Sequence, residues 1–174
     1  MATYKLSYFN VKGKAEVCRL LFALAGREYE DNRIPRENWP AIKPCKYCTT
    51  YQEIKLVHNN ILLGFYGKNN LENTKCDVIL ETINDLRAES RKLSTEKDET
   101  KKVSVPDLHG INVKIFCFDV TIADLAVLHL SDHMSGRAKI DMFKTSSTLK
   151  AHIDKIRAIP AIHDWLETRP KTEM

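Results

Sequence analysis

Apolar and polar positions alternate over Tyr4-Lys5-Leu6-Ser7-Tyr8, a period of two that predicts a β-strand. After Gly13 the period changes. Val17, Leu20, Leu21 and Leu24 follow the i, i+3, i+4, i+7 rule of an amphipathic helix, and Gly26 reads as its C-cap. Tyr29 to Ile34 is a second short strand. Ile54 to Val57 and Asn60 to Leu63, on either side of His58-Asn59-Asn60, read as a hairpin.

The segment Gly64-Phe65-Tyr66-Gly67-Lys68-Asn69-Asn70 is a glycine- and asparagine-rich connector, and beyond it the pattern is helical. Cys76, Ile79, Ile83 and Leu86 share one face of a helix expected from about Leu71 to Leu93. Ser94 to Val105 is highly charged and reads as an exposed loop or a frayed helix end. Val113 to Phe118 has strand-like composition in helical surroundings, which leaves its state open. Thr121-Ile122-Ala123-Asp124 is a capping box with Asp124 in place of the usual glutamate, and Leu125 and Leu128 begin the buried stripe of that helix. Leu149, Ile153 and Ile156 mark another helix, and Pro160 suits the first turn of the last one. The element order predicts an α/β half-domain of thioredoxin-like type over residues 1–65, followed by an all-helical domain over 66–174.

Composition narrows the function classes. Of 174 residues, 43% are apolar and 29% charged, as in an ordinary globular protein with a packed core. The net charge of +4 comes from 27 basic and 23 acidic residues interspersed along the chain, which argues against a nucleic-acid groove. No apolar run reaches the roughly 18 residues of a membrane span, and the first residues pass straight into strand-like sequence without a leader pattern. A cytoplasmic protein is expected, its five cysteines reduced thiols rather than a disulfide framework.

Three constellations carry possible chemistry. Cys45-Lys46-Tyr47-Cys48 is a CxxC, but in a redox enzyme of thioredoxin type that pair opens the first helix, and here Asn10-Val11-Lys12-Gly13 occupies that place. A zinc site wants a second such pair, and none exists. His129 and His133 stand at i, i+4 beside Asp132, a spacing that suits a metal but reads more simply as a solvated helix face. No metal or cofactor is expected. The third constellation is Tyr8 itself, the last in-phase side chain of the first strand. A phenol at a strand tip is able to donate a hydrogen bond to an anion held over the strand end.

The chain resembles the sigma-class glutathione transferases, most closely the nematode type, with internal deletions. The resemblance is carried by Tyr4-Lys5-Leu6-Ser7-Tyr8-Phe9-Asn10, Gly13-Lys14-Ala15-Glu16, Tyr29-Glu30-Asp31-Asn32-Arg33 and Trp39-Pro40. It returns at Tyr66-Gly67-Lys68, at Thr121-Ile122-Ala123-Asp124 and from Leu149 to Thr172. It implies the two-domain transferase architecture, a homodimer, and addition of the glutathione thiolate to small electrophiles, with glutathione as co-substrate. In that family a tyrosine at the position of Tyr8 stabilises the thiolate. Lowering a thiol from about pH 8.5 by about two units requires about 2.7 kcal/mol of preference for the anion. One charge-assisted hydrogen bond supplies about 1.5 to 3 kcal/mol. The resemblance further implies that Lys14 stands where the family often has an arginine, keeping the charge without the planar fork. Trp39 and Lys43 match residues that hold the glycyl end of glutathione. Ile54 falls where backbone pairs with the cysteinyl part, and Asp85 matches an acidic residue that reaches across a dimer to the γ-glutamyl amine.

The chain also departs from the family. Lys55 stands where a cis-proline is expected, and a cis bond before a non-proline costs about 2.5 to 4 kcal/mol. The family's Gln-Ser pair opens a helix whose N-terminus grips a carboxylate. Here Ile61-Leu62-Leu63 runs into the connector with no such pair. Losing several polar contacts, some charged, forfeits about 4 kcal/mol, roughly a thousandfold in affinity. The rival reading is therefore a catalytically weak or inactive relative that acts as a binding or dimer-partner protein. After Asp85 the helix continues Leu86-Arg87-Ala88-Glu89-Ser90-Arg91-Lys92, without the aromatic pocket residues of prostaglandin-D-synthase members, which argues against a prostaglandin isomerase.

Overall fold

The computed structural model describes residues 4–42, 64–95, 120–138, 142–143 and 146–172. They fall in two compact units, one comprising Met1–Phe65 with Ile159–Met174, the other Tyr66–Ala158.

In the first unit, strands β1 (Tyr4–Phe9) and β2 (Tyr29–Ile34) are parallel, with Tyr4 opposite Tyr29 and Tyr8 opposite Arg33. Parallel neighbours need a crossover, which here is helix α1 (Ala15–Leu24). Its C-terminus is a Schellman motif: Gly26 has φ +58, its N–H donates to Ala23, and the Arg27 N–H donates to Phe22. Glycine takes that left-handed conformation without the steric cost that a Cβ adds. Leu6, Leu20, Leu21 and Phe22 are fully buried, each aliphatic one contributing about 1.5 to 3 kcal/mol. Tyr29 stacks on Phe22 at 4.1 Å, and Tyr4 tilts against the same ring at 5.7 Å.

The expected single apolar stripe of α1 is only half of the finding. Residues Ala15 to Phe22 are buried all round, Glu16 and Arg19 included. The reason is tertiary: the last helix, which we label α6 (Pro160–Thr168), packs against α1 as part of the same unit. Between them in sequence, a 3₁₀ turn (Arg36–Asn38) leads into the short helix α2 (Trp39–Ile42).

The second unit is helical. Helix α3 (Asn70–Thr95) starts one residue earlier than its periodicity predicts because Asn69 caps it. The Glu72 N–H donates to Asn69 Oδ1 at 3.0 Å, and Glu72 reaches back to accept from the Lys68 N–H at 2.7 Å. Gly67 is required by close approach, since a Cβ there would lie 2.3 Å from Glu72 Cβ. Cys76, Ile79 and Ile83 are buried as their spacing predicts. Helix α4 (Ile122–His133) continues into a π turn (Met134–Ala138), and its residues Ile122 to Ser131 are all buried, so it is the unit's central helix. The predicted capping box is present: Asp124 Oδ2 accepts from both the Thr121 N–H and the Thr121 hydroxyl at 2.7 Å. Helix α5 (Ser147–Arg157) is capped by Ser146 and buries Leu149, Ile153 and Ile156. The expected hairpin at 54–63, the charged stretch beyond Thr95 and the ambiguous 106–118 lie outside the described residues.

Candidate functional site

Tyr8 stands one residue from the end of β1, where the chain must reverse into α1. The Val11 N–H donates to the Phe9 carbonyl at 2.7 Å and starts the turn. Gly13 then adopts φ +47, and Lys14 is the N-cap of α1. This path carries the Lys14 backbone N–H to 3.3 Å from the Tyr8 hydroxyl oxygen, in a solvent-exposed position. The amide occupies one lone pair of that oxygen, so the phenolic hydrogen can be offered to another acceptor. The positive end of the helix favours an anion there. The ring lies flush on the turn: a Cβ at Gly13 would come within 2.8 Å of both the Tyr8 hydroxyl and Cε1.

The structure thus brings Tyr8 and the backbone of Lys14 together. Trp39 joins them indirectly: Tyr8 meets Phe9 at 5.7 Å, and Phe9 meets Trp39 edge-on at 5.0 Å. Lys43 and Ile54 lie outside the described residues, as do Lys55 and the CxxC at Cys45 and Cys48. Asp85 is exposed on α3 in the second unit.

Sequence reasoning missed the polar core behind the turn. Arg19 has no solvent exposure, and Glu16 is 1% exposed. Arg19 Nη1 donates to the Val11 carbonyl at 3.1 Å, to Glu16 Oε2 at 3.2 Å and, at 3.5 Å, to the Lys12 carbonyl. Its Nε lies 3.2 Å from the Asp31 carboxylate on β2. Glu16 Oε1 accepts from Trp165 Nε1 at 3.1 Å and from Arg169 Nη1 at 2.9 Å. Burial by itself would raise the Glu16 carboxyl. Hydrogen bonds from Arg169 and Trp165, with the charges of Arg169 and Arg19, outweigh it and hold the group below its ordinary 4.5. Cys18 is the opposite case: burial pushes its thiol up to about 12 despite the Arg19 charge. The available signal was a charged pair at i, i+3 inside the otherwise apolar run Ala15 to Phe22.

The histidine reading of α4 is corrected. His129 is 3% exposed and so is not on a solvated face, because α4 is covered on all sides. Asp132 pairs with Arg157 of α5. Among the described residues no three His, Cys, Asp or Glu side chains are grouped to hold a metal ion.

Comparison with known proteins gives this arrangement its context. Residues 116–169 match the family model for the glutathione S-transferase C-terminal domain. Glutathione S-transferase S1 of Drosophila melanogaster is 30% identical, the match covering 99% of this chain and 81% of that protein. The chain belongs to the glutathione S-transferase family, of the sigma and nematode type. Hematopoietic prostaglandin D synthase of Gallus gallus is 32% identical, with 99% of each chain covered. The fold agrees: the crystal structure of the glutathione S-transferase from Ascaris lumbricoides superposes with a TM-score of 0.80 at 27% identity, covering 98% of this chain and 99% of that one. The matches to the fly and chicken proteins run over 201 and 199 residues, whereas this transferase-family chain has 174, so these relatives contain segments that it lacks. Among the described residues no helix is long and apolar enough to cross a membrane.

Proposed function

We propose that this chain is a glutathione transferase in which Tyr8 stabilises the thiolate of glutathione for attack on small electrophiles. The observation that supports this reading most is the Tyr8 hydroxyl at the strand tip, its oxygen accepting from the backbone N–H of Lys14, the N-cap of α1, at 3.3 Å. An N–H donor on the phenol oxygen polarises the O–H and strengthens its own donation. A charge-assisted hydrogen bond of about 1.5 to 3 kcal/mol corresponds to roughly 10- to 150-fold in thiolate population. Trp39, Lys43, the backbone at Ile54 and Lys14 are proposed to hold the tripeptide. In a homodimer, Asp85 would act from the neighbouring copy. Support for that assembly is the exposure of Leu71 (66%) and Val78 (59%) on α3. These stand one heptad apart, and Asp85 stands one heptad beyond Val78.

The test is conjugation of glutathione to chlorodinitrobenzene by the wild type and by Tyr8→Phe. A fall in rate of one to two orders of magnitude is expected, and equal rates would refute the assigned role.

The second reading, a relative that keeps the fold without effective catalysis, draws on the shorter chain. Titration calorimetry separates the two readings. Sub-millimolar glutathione binding supports the enzyme, and no measurable binding supports the non-catalytic relative.

A further inference from the structure

We propose that Arg19 is a positioning residue for the Tyr8 hydroxyl, locked from the C-terminal helix through Glu16; this rests on Tyr8 being the thiolate stabiliser. The Tyr8–Lys14 hydrogen bond exists only if the turn from Asn10 to Gly13 holds one course. The turn carries hydrogen bonds from the Val11 N–H to the Phe9 carbonyl at 2.7 Å, from the Glu16 N–H to the Lys12 carbonyl at 3.1 Å and from Arg33 Nη1 to Asn10 Oδ1 at 3.2 Å. It is short, exposed at Asn10 and Lys14, and contains a glycine in the left-handed region. What holds it from its buried side is a guanidinium: Arg19 Nη1 donates to the Val11 carbonyl at 3.1 Å and the Lys12 carbonyl at 3.5 Å. A side chain with no solvent exposure cannot trade these acceptors for water.

The same guanidinium ties the turn to two other elements. Its Nε meets Asp31 on β2 and its Nη1 meets Glu16 in the first turn of α1. A buried cation needs such partners to remain charged in place. Glu16 is in turn held from its far oxygen by Trp165 and Arg169. The result is a continuous chain of hydrogen bonds from Arg169 through Glu16 and Arg19 to the carbonyls just ahead of Gly13. Residues near the C-terminal end of the sequence thereby set the course of the turn that orients the Tyr8 hydroxyl.

Two substitutions break the chain at different points. Arg169→Met removes the far clamp while leaving Trp165 on Glu16. Arg19→Lys keeps the charge but loses the planar fork that spans several acceptors at once. The pH profile of kcat/KM with chlorodinitrobenzene is measured for each, in the wild-type and the Tyr8→Phe background, together with amide hydrogen exchange at residues 10–14. With a loosened turn the rising limb moves up by about one pH unit, which is about tenfold in rate at neutral pH. Exchange at Gly13 and Lys14 accelerates. In Tyr8→Phe the same substitutions have little further effect on rate, because nothing is left to position.

An equal loss in both backgrounds, or an unmoved profile with unmoved exchange, overturns the proposal. Should Arg19→Lys fail to fold, Arg169→Met decides alone, since that side chain is partly exposed. If the wild type shows no dependence on Tyr8, the thiolate reading fails by itself. The exchange measurement then decides the tether: faster exchange in Arg169→Met upholds it and unchanged exchange overturns it.

Discussion

Gly13 lies so close to Tyr8 that a Cβ on it would sit 2.8 Å from the phenol oxygen. Gly13 also has φ +47, a region that L side chains rarely adopt. Gly13→Ala therefore meets two penalties at once. The left-handed backbone costs about 1 to 2 kcal/mol, and the tyrosine ring must move off the turn. We expect a fall in stability of that size by urea denaturation. We also expect a loss of conjugation activity exceeding what the stability change explains at assay temperature. Full activity in the alanine variant would show that the ring position is immaterial.

The Glu16 carboxyl is held below its ordinary value in the folded chain. A depressed carboxyl contributes stability that is present above its unfolded value and lost as pH falls through the folded one. Stability of the wild type should therefore decline with acidification below about pH 4.5, and Glu16→Gln should show a flatter decline. The variant should also be less stable at neutral pH by about 3 kcal/mol, because Arg19 and Arg169 lose a charged partner. Urea midpoints measured across the acid range check both. Parallel curves for the two proteins would contradict the assignment.

Thr121 and Asp124 satisfy the N-terminus of the buried helix α4, and Asp124 Oδ1 also bonds His152 Nε2 of α5 at 2.7 Å. Thr121→Ala should cost about 0.5 to 2 kcal/mol as a lost cap. Asp124→Ala should cost more, since one carboxylate serves Thr121 twice and His152 once. Thermal unfolding of both variants tests the order. An Asp124 variant no worse than the Thr121 variant would remove the carboxylate from that role.

Cys18 has no exposure, and burial raises its thiol to about 12. The thiolate is the reactive species, so alkylation of Cys18 at neutral pH should track unfolding. Iodoacetamide labelling read by peptide mass is expected to spare Cys18 in the native chain and to modify it in urea. Fast native labelling would show that the α1 core opens locally.

Much of the architecture was legible because it is written in local patterns. The alternation at Tyr4 to Tyr8, the stripe at Val17 to Leu24 and the box at Thr121 to Asp124 each describe interactions within a few residues of one another. The C-terminal helices were equally plain, while β2 was only weakly marked by its local pattern. The Asn69–Glu72 cap is also local, and the start of α3 was misjudged only because its asparagines were assigned to a connector. What pattern alone misread was the environment of charged and titratable side chains inside helices. His129 has the spacing of an exposed pair, yet α4 is covered on all sides. Glu16 and Arg19 read as the polar face of an amphipathic helix until α6 is seen to cover it.

The sequence by itself determined the strands β1 and β2, the helices α1 and α3 to α6, the family and the phenol at the strand tip, because periodicity, caps and turn glycines act over a single turn of chain. Only the tertiary structure decided that Trp165 and Arg169 lie against Glu16, about 150 residues away in sequence. No local rule specifies which charge a buried carboxylate will meet. That depends on which distant helix removes water from around it, and burial is what turns a cheap surface charge into one that must find a partner.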